Sequence, residues 1–362
     1  MKLLYLTNVQ IPAADAQNLQ VQSMCKAFFY SLNNDFLLIS PWSSVNEKMS
    51  SAYRWERIEI IKWLPRSLRQ LSFIFKSRTI VRNFQPDVIY TRDIAIAWFF
   101  ERLGFKTIYE IHRPFITKIG NVIFKRICKK IKIVVISQAL KDFIINQYNL
   151  NSDMILVAHD GVDLKNFNIL ENKEQLREKY FSEIKDKFIV LYTGSQERGK
   201  GVEMIINAAS KLRDLIFVVI GSQEDKKIDN LIFKKRKSHE EIPKYLKAAD
   251  LLVLPMNKEL SYSAYSSPLK LFEYMASETP ILTSKIGAIS EILNEKNSFL
   301  FNPGRKDDFE EKILYVKKNR LEAEITTRET LRGVKNYTWE NRVMSILKFI
   351  NGISNIIQRN NH

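Results

Sequence analysis

The chain has 362 residues, with 56 lysines and arginines against 40 aspartates and glutamates, a formal net charge of +16 and a hydrophobic fraction of 45%. That length exceeds one ordinary core and argues for two domains, and the charge favours anionic partners such as nucleotide phosphates or an anionic membrane surface. Cys25 and Cys128 stand far apart with no CxxC or Cys/His cluster, so each reads as a small buried residue in a reducing compartment and a structural zinc site is not supported.

A short apolar run over 2–6 reads as a first buried strand and is too short for a signal peptide. A loop over 8–18 follows, then helical periodicity over 19–32 and strands over 35–40 and 58–63. A helix rich in Arg, Lys and Phe is predicted over 68–84. Short strands over 87–91 and 106–110 flank a helix over 94–103, and 131–137, 138–146 and 155–158 read as strand, helix and strand. The polar, poorly periodic stretch 151–172 is the expected hinge region. The pattern restarts with a strand over 188–192, a helix over 202–212, a strand over 215–221 and a charged loop over 222–237. Then come a helix over 242–248, a strand over 251–255, a helix over 268–276, a strand over 280–283 and helices over 288–293, 307–318 and 339–357. Strands alternating with helices predict an α/β fold of two doubly wound, mostly parallel sheets, with ligands at the carboxyl ends of the strands. No apolar run approaches the roughly 20 residues of a membrane span, so the chain is expected to be soluble, cytoplasmic and at most peripheral to a membrane.

Several strand ends carry residues suited to chemistry. Pro268 opens a helix on which Leu269, Phe272 and Met275 recur at core spacing while Lys270 and Glu273 share a side. A helix start with a lysine beside it suits a phosphate, and a carboxylate one turn on suits a ribose diol. The same residues also describe an ordinary amphipathic helix with a surface ion pair. Gly194 follows a strand and Lys200 opens the next helix, an arrangement that admits a close anion but is common between strands and helices. There is no Walker lysine pattern and no GxGxxG. His112 ends a strand, where a structural hydrogen bond and a catalytic role are both open; Asp93 is either a helix cap or a site residue.

Two stretches mix basic and apolar residues: Ile61 to Arg78, with Trp63, Arg69, Phe73, Phe75 and Lys76, and Lys118 to Lys132, with Ile119, Val122, Phe124, Lys125 and Arg126. They fit interfacial membrane helices and equally fit solvated helices with one face on a core. Nucleic acid is not an expected partner, because only charge argues for it and no nucleic-acid-binding motif is present.

In order and spacing, several segments resemble glycosyltransferase family 4, the retaining family of GT-B fold. They are 18–28, 87–93, Tyr109-Glu110-Ile111-His112, 135–141, 157–163, Gly194 with Lys200-Gly201, 249–255 and Ser267-Pro268-Leu269-Lys270-Leu271-Phe272-Glu273. The resemblance implies two facing Rossmann-like domains with a cleft between them. Residues 1–165, with the helix 339–357 packing back, would hold the acceptor, and 170–338 would hold a nucleotide-sugar. It implies transfer of a sugar, with UDP the favoured donor base, to a glycan or lipid-linked acceptor in bacterial surface polysaccharide synthesis, without metal or cofactor. By position, Glu273 takes the ribose, Lys200 the diphosphate, Lys270 the phosphates or donor sugar, and His112 lies near that sugar. Gly194, Arg198, Pro268 and Leu269 line the donor site, Arg198 standing in for an arginine the family places shortly before the lysine. Tyr265 occupies the position of the family's first glutamate, Glu259 is out of register, and Ala13-Ala14 replaces a Gly-Gly pair. These departures keep open an alternative, a non-catalytic GT-B subunit assisting a partner transferase.

Overall fold

The structure, a computed structural model, describes residues 1–11, 15–42, 53–59, 63, 65–115, 117–257, 264–265 and 267–352. The chain forms two compact units, one comprising 1–159 and 339–362, the other 160–338. The changeover falls at 159/160, inside the 151–172 hinge region and ahead of the 165–170 division that the family resemblance implies, because Val162 already pairs with Thr338 and its N–H donates to the Tyr337 carbonyl inside the second unit.

In the first unit the strands are β1 (Leu3–Leu6), β2 (Phe36–Trp42), β3 (Trp55–Glu59), β4 (Val88–Thr91), β5 (Thr107–Ile111), β6 (Lys132–Val135) and β7 (Ile155–Val157). They form one parallel sheet in the order β3-β2-β1-β4-β5-β6-β7. Strands β1, β4 and β5 are buried throughout, which is why they read as continuous apolar runs rather than alternating ones. The connecting helices are α1 (Ala16–Leu32), α2 (Arg66–Phe84), α3 (Ile94–Arg102), α4 (Lys118–Ile127) and α5 (Gln138–Tyr148). Asp15, Asp93, Thr117 and Ser137 cap four of them through side-chain oxygens, so Asp93 takes the cap role rather than a site role. Among the described residues the third strand spans Trp55–Glu59, so it starts three residues ahead of the 58–63 expected. The Trp55 indole donates to Ser40 Oγ at 2.8 Å and fixes the strand beside β2, while 60–62 and 64 lie outside the described residues.

In the second unit α6 (Lys173–Tyr180) precedes β8 (Ile189–Thr193), α7 (Val202–Lys211) and β9 (Ile216–Ser222). The charged segment expected as a loop folds into a hairpin, β10 (Lys226–Ile228) and β11 (Leu231–Lys235). It turns at Asp229, whose φ of 51° is left-handed, and buries Leu231 and Phe233. Next come α8 (Ile242–Ala248), β12 (Leu251–Leu254), α9 (Leu269–Met275), β13 (Ile281–Ser284), α10 (Gly287–Ser290), β14 (Phe299–Phe301), α11 (Lys306–Lys318) and α12 (Arg320–Val334). The sheet runs β10-β11-β9-β8-β12-β13-β14, parallel except for the edge strand β10. The chain then returns to the first unit through α13 (Trp339–Ile350), which packs on α1.

Candidate active site

The second unit gathers its candidate residues at the carboxyl ends of β8 and β12. Beyond β8, Gly194 has φ +134° and Gly201 has φ +81°. A Cβ on Gly201 would lie 1.7 Å from the Pro255 carbonyl oxygen, so the turn carrying Arg198 and Lys200 can sit against the end of β12 only with glycine there. The Asn257 N–H donates to the Gly199 carbonyl at 3.2 Å and ties the two loops together. Arg198 is exposed on this turn and Lys200 is half-buried at its end, one residue before the α7 cap.

Helix α9 docks on the same strand end. Pro268 occupies its cap position with φ −70°, and Leu271, Phe272, Tyr274 and Met275 are buried. The Tyr274 hydroxyl accepts the Thr193 N–H at 2.8 Å, which fixes the helix to the end of β8. One turn earlier on the same face, the Lys270 ammonium lies 4.0 Å from the centroid of the buried Tyr192 ring. The Tyr192 hydroxyl in turn donates to the Ser195 carbonyl at 3.0 Å. A Cβ on Gly194 would come within 2.3 Å of Lys270 Nζ, so glycine is what admits the ammonium.

The electrostatics are unfavourable to the charges the site carries. Burial brings Lys270 down to about 7, and neighbouring Lys200 pushes the same way against the weaker pull of Glu273. Burial raises Glu273 to about 6, Lys270 opposing. Two lysines that repel each other beside an open backbone turn make a place where an anion would relieve the strain of charge. Lys270, Lys200 and Gly194 are thus brought together, with Glu273 one turn away; Pro268 and half-buried Leu269 frame the start of α9. Tyr265 is half-buried, whereas Glu259 and the Ala13-Ala14 pair lie outside the described residues. Tyr192 and Tyr274, which hold the lysine and its helix, are additions from the structure. Their signal in the sequence is a tyrosine hydroxyl in an otherwise apolar strand or helix face.

In the first unit His112 follows β5 and is about one-fifth exposed. Its Nε2 hydrogen-bonds Glu110 Oε1. Glu110 itself is buried and also accepts from Gln20 Nε2 at 2.9 Å, from Arg342 Nη2 at 3.0 Å and from the Tyr90 hydroxyl. Arg92 Nη1 donates to Gln20 Oε1 at 2.6 Å. Burial alone would raise the Glu110 carboxyl; Arg342, His112 and Arg92 outweigh it and hold the group well below the usual carboxylate range. Glu110 and Arg342 were not expected as site residues. The signal lay in a lone carboxylate inside Thr107–Ile111 and in an arginine falling on the apolar stripe Trp339, Val343, Ile346, Ile350.

The basic stretches divide by face. On α2, Phe73, Ile74 and Val81 are buried while Leu68, Leu71 and Phe75 are exposed. On α4, Phe124 and Ile127 face the core while Ile119 is 75% exposed beside Lys118, with Val122, Lys125 and Arg126 also outward. Ile61, Lys62 and Leu64 lie outside the described residues.

An uncharacterized glycosyltransferase of Methanocaldococcus jannaschii is 26% identical over 235 residues, 62% of this chain and 60% of that protein. The capsular polysaccharide biosynthesis glycosyltransferase CapM of Staphylococcus aureus is 27% identical over 218 residues, 55% of this chain and 54% of CapM. The chain therefore spans a little over half the length of these relatives. Anabaena HepE, solved in complex with UDP, superposes with a TM-score of 0.76 at 15% identity, over 97% of this chain and all of that one, a likeness of fold. The fold class is GT-B, two parallel-sheet α/β domains, as the sequence led one to expect. Residues 32–166 match the model described as Glycosyltransferase Family 4 and residues 172–332 that described as Glycosyl transferases group 1, and on both halves the chain belongs to the family 4 type of glycosyltransferases.

Proposed function

We propose that this chain is a retaining glycosyltransferase. It moves a sugar from a nucleotide-sugar, in the first instance a UDP-sugar, to a glycan or lipid-linked acceptor in bacterial surface polysaccharide synthesis. The observation that carries the reading is the pair Lys200 and Lys270 at one strand end, with the Lys270 ammonium seated against the bare backbone of Gly194. In the transfer, the bond from the anomeric carbon to the diphosphate breaks, the acceptor oxygen bonds that carbon and passes its proton to the departing diphosphate oxygen, and the nucleoside diphosphate leaves with the electron pair. Charge develops on the leaving diphosphate, and two ammoniums held in place before the reaction stabilise it without reorganising. The lysine pair supplies this compensation from the chain itself, so the reading includes no metal and no cofactor. Glu273 accepts from the ribose hydroxyls and His112 acts near the donor sugar. The UDP complex of HepE supports UDP as the base, and CapM, a capsular polysaccharide enzyme, supports the class of product. The exposed apolar and basic residues of α2 and α4 support an anionic membrane surface as the place where a lipid-linked acceptor is met. No helix among the described residues is long and apolar enough to cross a membrane.

Calorimetric titration with UDP, GDP and ADP tests the site directly. UDP is expected to bind most tightly, and Lys270→Ala and Glu273→Ala each to weaken it at least about tenfold, a loss of roughly 1.4 kcal/mol. Unchanged affinity in both variants would refute the assignment. Absence of sugar transfer or hydrolysis across a nucleotide-sugar panel, with binding intact, would favour the non-catalytic subunit.

A further inference from the structure

Glu110 is buried in the first unit and bonded by four side chains from four separate segments of the chain. Gln20 is on α1, Tyr90 on β4, His112 directly follows β5, and Arg342 is on α13. The Glu110 and Arg342 side chains are 0% and 1% exposed. A buried ion pair of this kind gives little net stability over a well-packed apolar pair, so its presence calls for another reason. The one member of the cluster that reaches solvent is His112, apart from the half-buried Arg92 that bonds Gln20. An ionised carboxylate only accepts hydrogen bonds, and Arg342, Gln20 and Tyr90 are all donating to this one. A neutral imidazole in contact with it must therefore carry its proton on Nε2.

We propose that Glu110, clamped by Arg342 of the returning helix α13, is the positioning residue of His112: it fixes the ring and the Nε2–H tautomer and makes Nδ1 the nitrogen through which His112 works. The pattern is general for functional histidines, whose reacting nitrogen is set by the hydrogen bond the other one makes. Here the orienting bond comes from the strand that His112 directly follows, two residues earlier, and the anchor of that bond, Arg342, is 232 residues from Glu110 in sequence. The proposal rests on the reading of His112 as a residue of the transfer reaction.

Two measurements on the full chain test it. Long-range proton–nitrogen NMR on protein labelled at its four histidines identifies the His112 signal by its loss in His112→Asn. The wild type is expected to show the Nε2–H form alone at neutral pH, and Glu110→Gln a mixture of both tautomers. A wild-type His112 protonated on Nδ1 would overturn the proposal while leaving the role of His112 standing. The second measurement is hydrolysis of UDP-glucose, followed as UDP release. Glu110→Gln is expected to lower kcat at least tenfold with KM within twofold, and to cause no further loss when added to His112→Ala. Losses that multiply in the double variant mean a purely structural Glu110 and sink the idea. Should Glu110→Gln alone fail to fold with Arg342 left unpaired, Glu110→Gln with Arg342→Met removes both charges and is read in the same two ways. Full turnover by His112→Ala overturns the reading of His112 and this proposal with it.

Discussion

Lys270 shows how far single residues can be read from a sequence. Its position three before Glu273 and two after a proline puts the pair on one side of a helix, which fits an ordinary surface ion pair as well as a site, and it was the family resemblance that marked Lys270 as a candidate. What the spacing does not contain is the Tyr192 ring beneath the ammonium and the bare backbone of Gly194 beside it, both of which arrive from another strand. Glu110 and Arg342 escaped for the same reason: each lies in an apolar stretch, and only the fold brings them within hydrogen-bond distance. The lowered value of Lys270, about 7, has a consequence that can be measured. A bound diphosphate favours the ammonium, so the free site at pH 8 must take up a proton on binding. Affinity for UDP is thus expected to fall between pH 7 and 8.5, by up to about tenfold per unit. The same shift makes the folded chain gain stability as pH rises from about 7, since the unfolded lysine keeps its proton up to roughly 10.4. Lys270→Arg, which stays charged, should bind UDP with an affinity that no longer varies over that range. A wild-type affinity that is flat from pH 7 to 8.5 by titration calorimetry would show that Lys270 is charged before the ligand arrives.

At the scale of elements, the buried parallel strands were legible because both their faces are covered and their sequences are apolar throughout. The hairpin of β10 and β11 was not, because its lysines belong to a sheet edge, where charge is what keeps a strand from pairing with another chain. Helix α6 was hidden in a similar way. Leu176 is its one buried residue, and a capping box between Asn172 and Gln175, rather than an apolar stripe, defines its start. Helix α4 poses the opposite problem, since its sequence fitted two environments. The fold settles one side of it: Phe124 and Ile127 go to the core, and Ile119 and Val122 remain outside among Lys118, Lys125 and Arg126. If that outer face meets a membrane, vesicles containing anionic lipid should float the protein, and salt should release it, since each basic residue near the surface contributes about 1 kcal/mol. Ile119→Glu with Val122→Glu should abolish flotation and leave the thermal midpoint within a degree or two, because exposed substitutions cost roughly 0.5 kcal/mol or less. Equal flotation of wild type and variant would mean that the face is merely solvated.

At the scale of the whole chain, two mostly parallel, doubly wound sheets followed from alternation alone, but the return of the last helix to the first unit could be expected only from family likeness. The structure supplies the physical grounds for it. Trp339, Val343, Ile346 and Ile350 give α13 a buried stripe, Arg342 closes on Glu110, and Lys106 and Lys132 donate to the carbonyls of Ile350 and Phe349 at its carboxyl end. Cations at that end of a helix satisfy carbonyls that have no partner within it and oppose its dipole. The first unit therefore cannot complete its buried polar cluster until the whole second unit has been made. A chain ended at Thr338 would keep every residue of the second unit, 160–338, and would leave Glu110 buried without its guanidinium. Breaking such a pair costs about 3–5 kcal/mol, to which the lost apolar stripe adds, out of a total stability of roughly 5–15 kcal/mol. Hydrogen exchange followed by mass spectrometry should then show the amides of β1, β4 and β5 losing protection while those of β8, β12 and β13 keep theirs, and UDP binding should survive in the shortened chain. Uniform loss of protection in both sheets would mean that the second unit depends on the first, and unaltered protection in β5 would mean that α13 contributes nothing to the strand that carries Glu110.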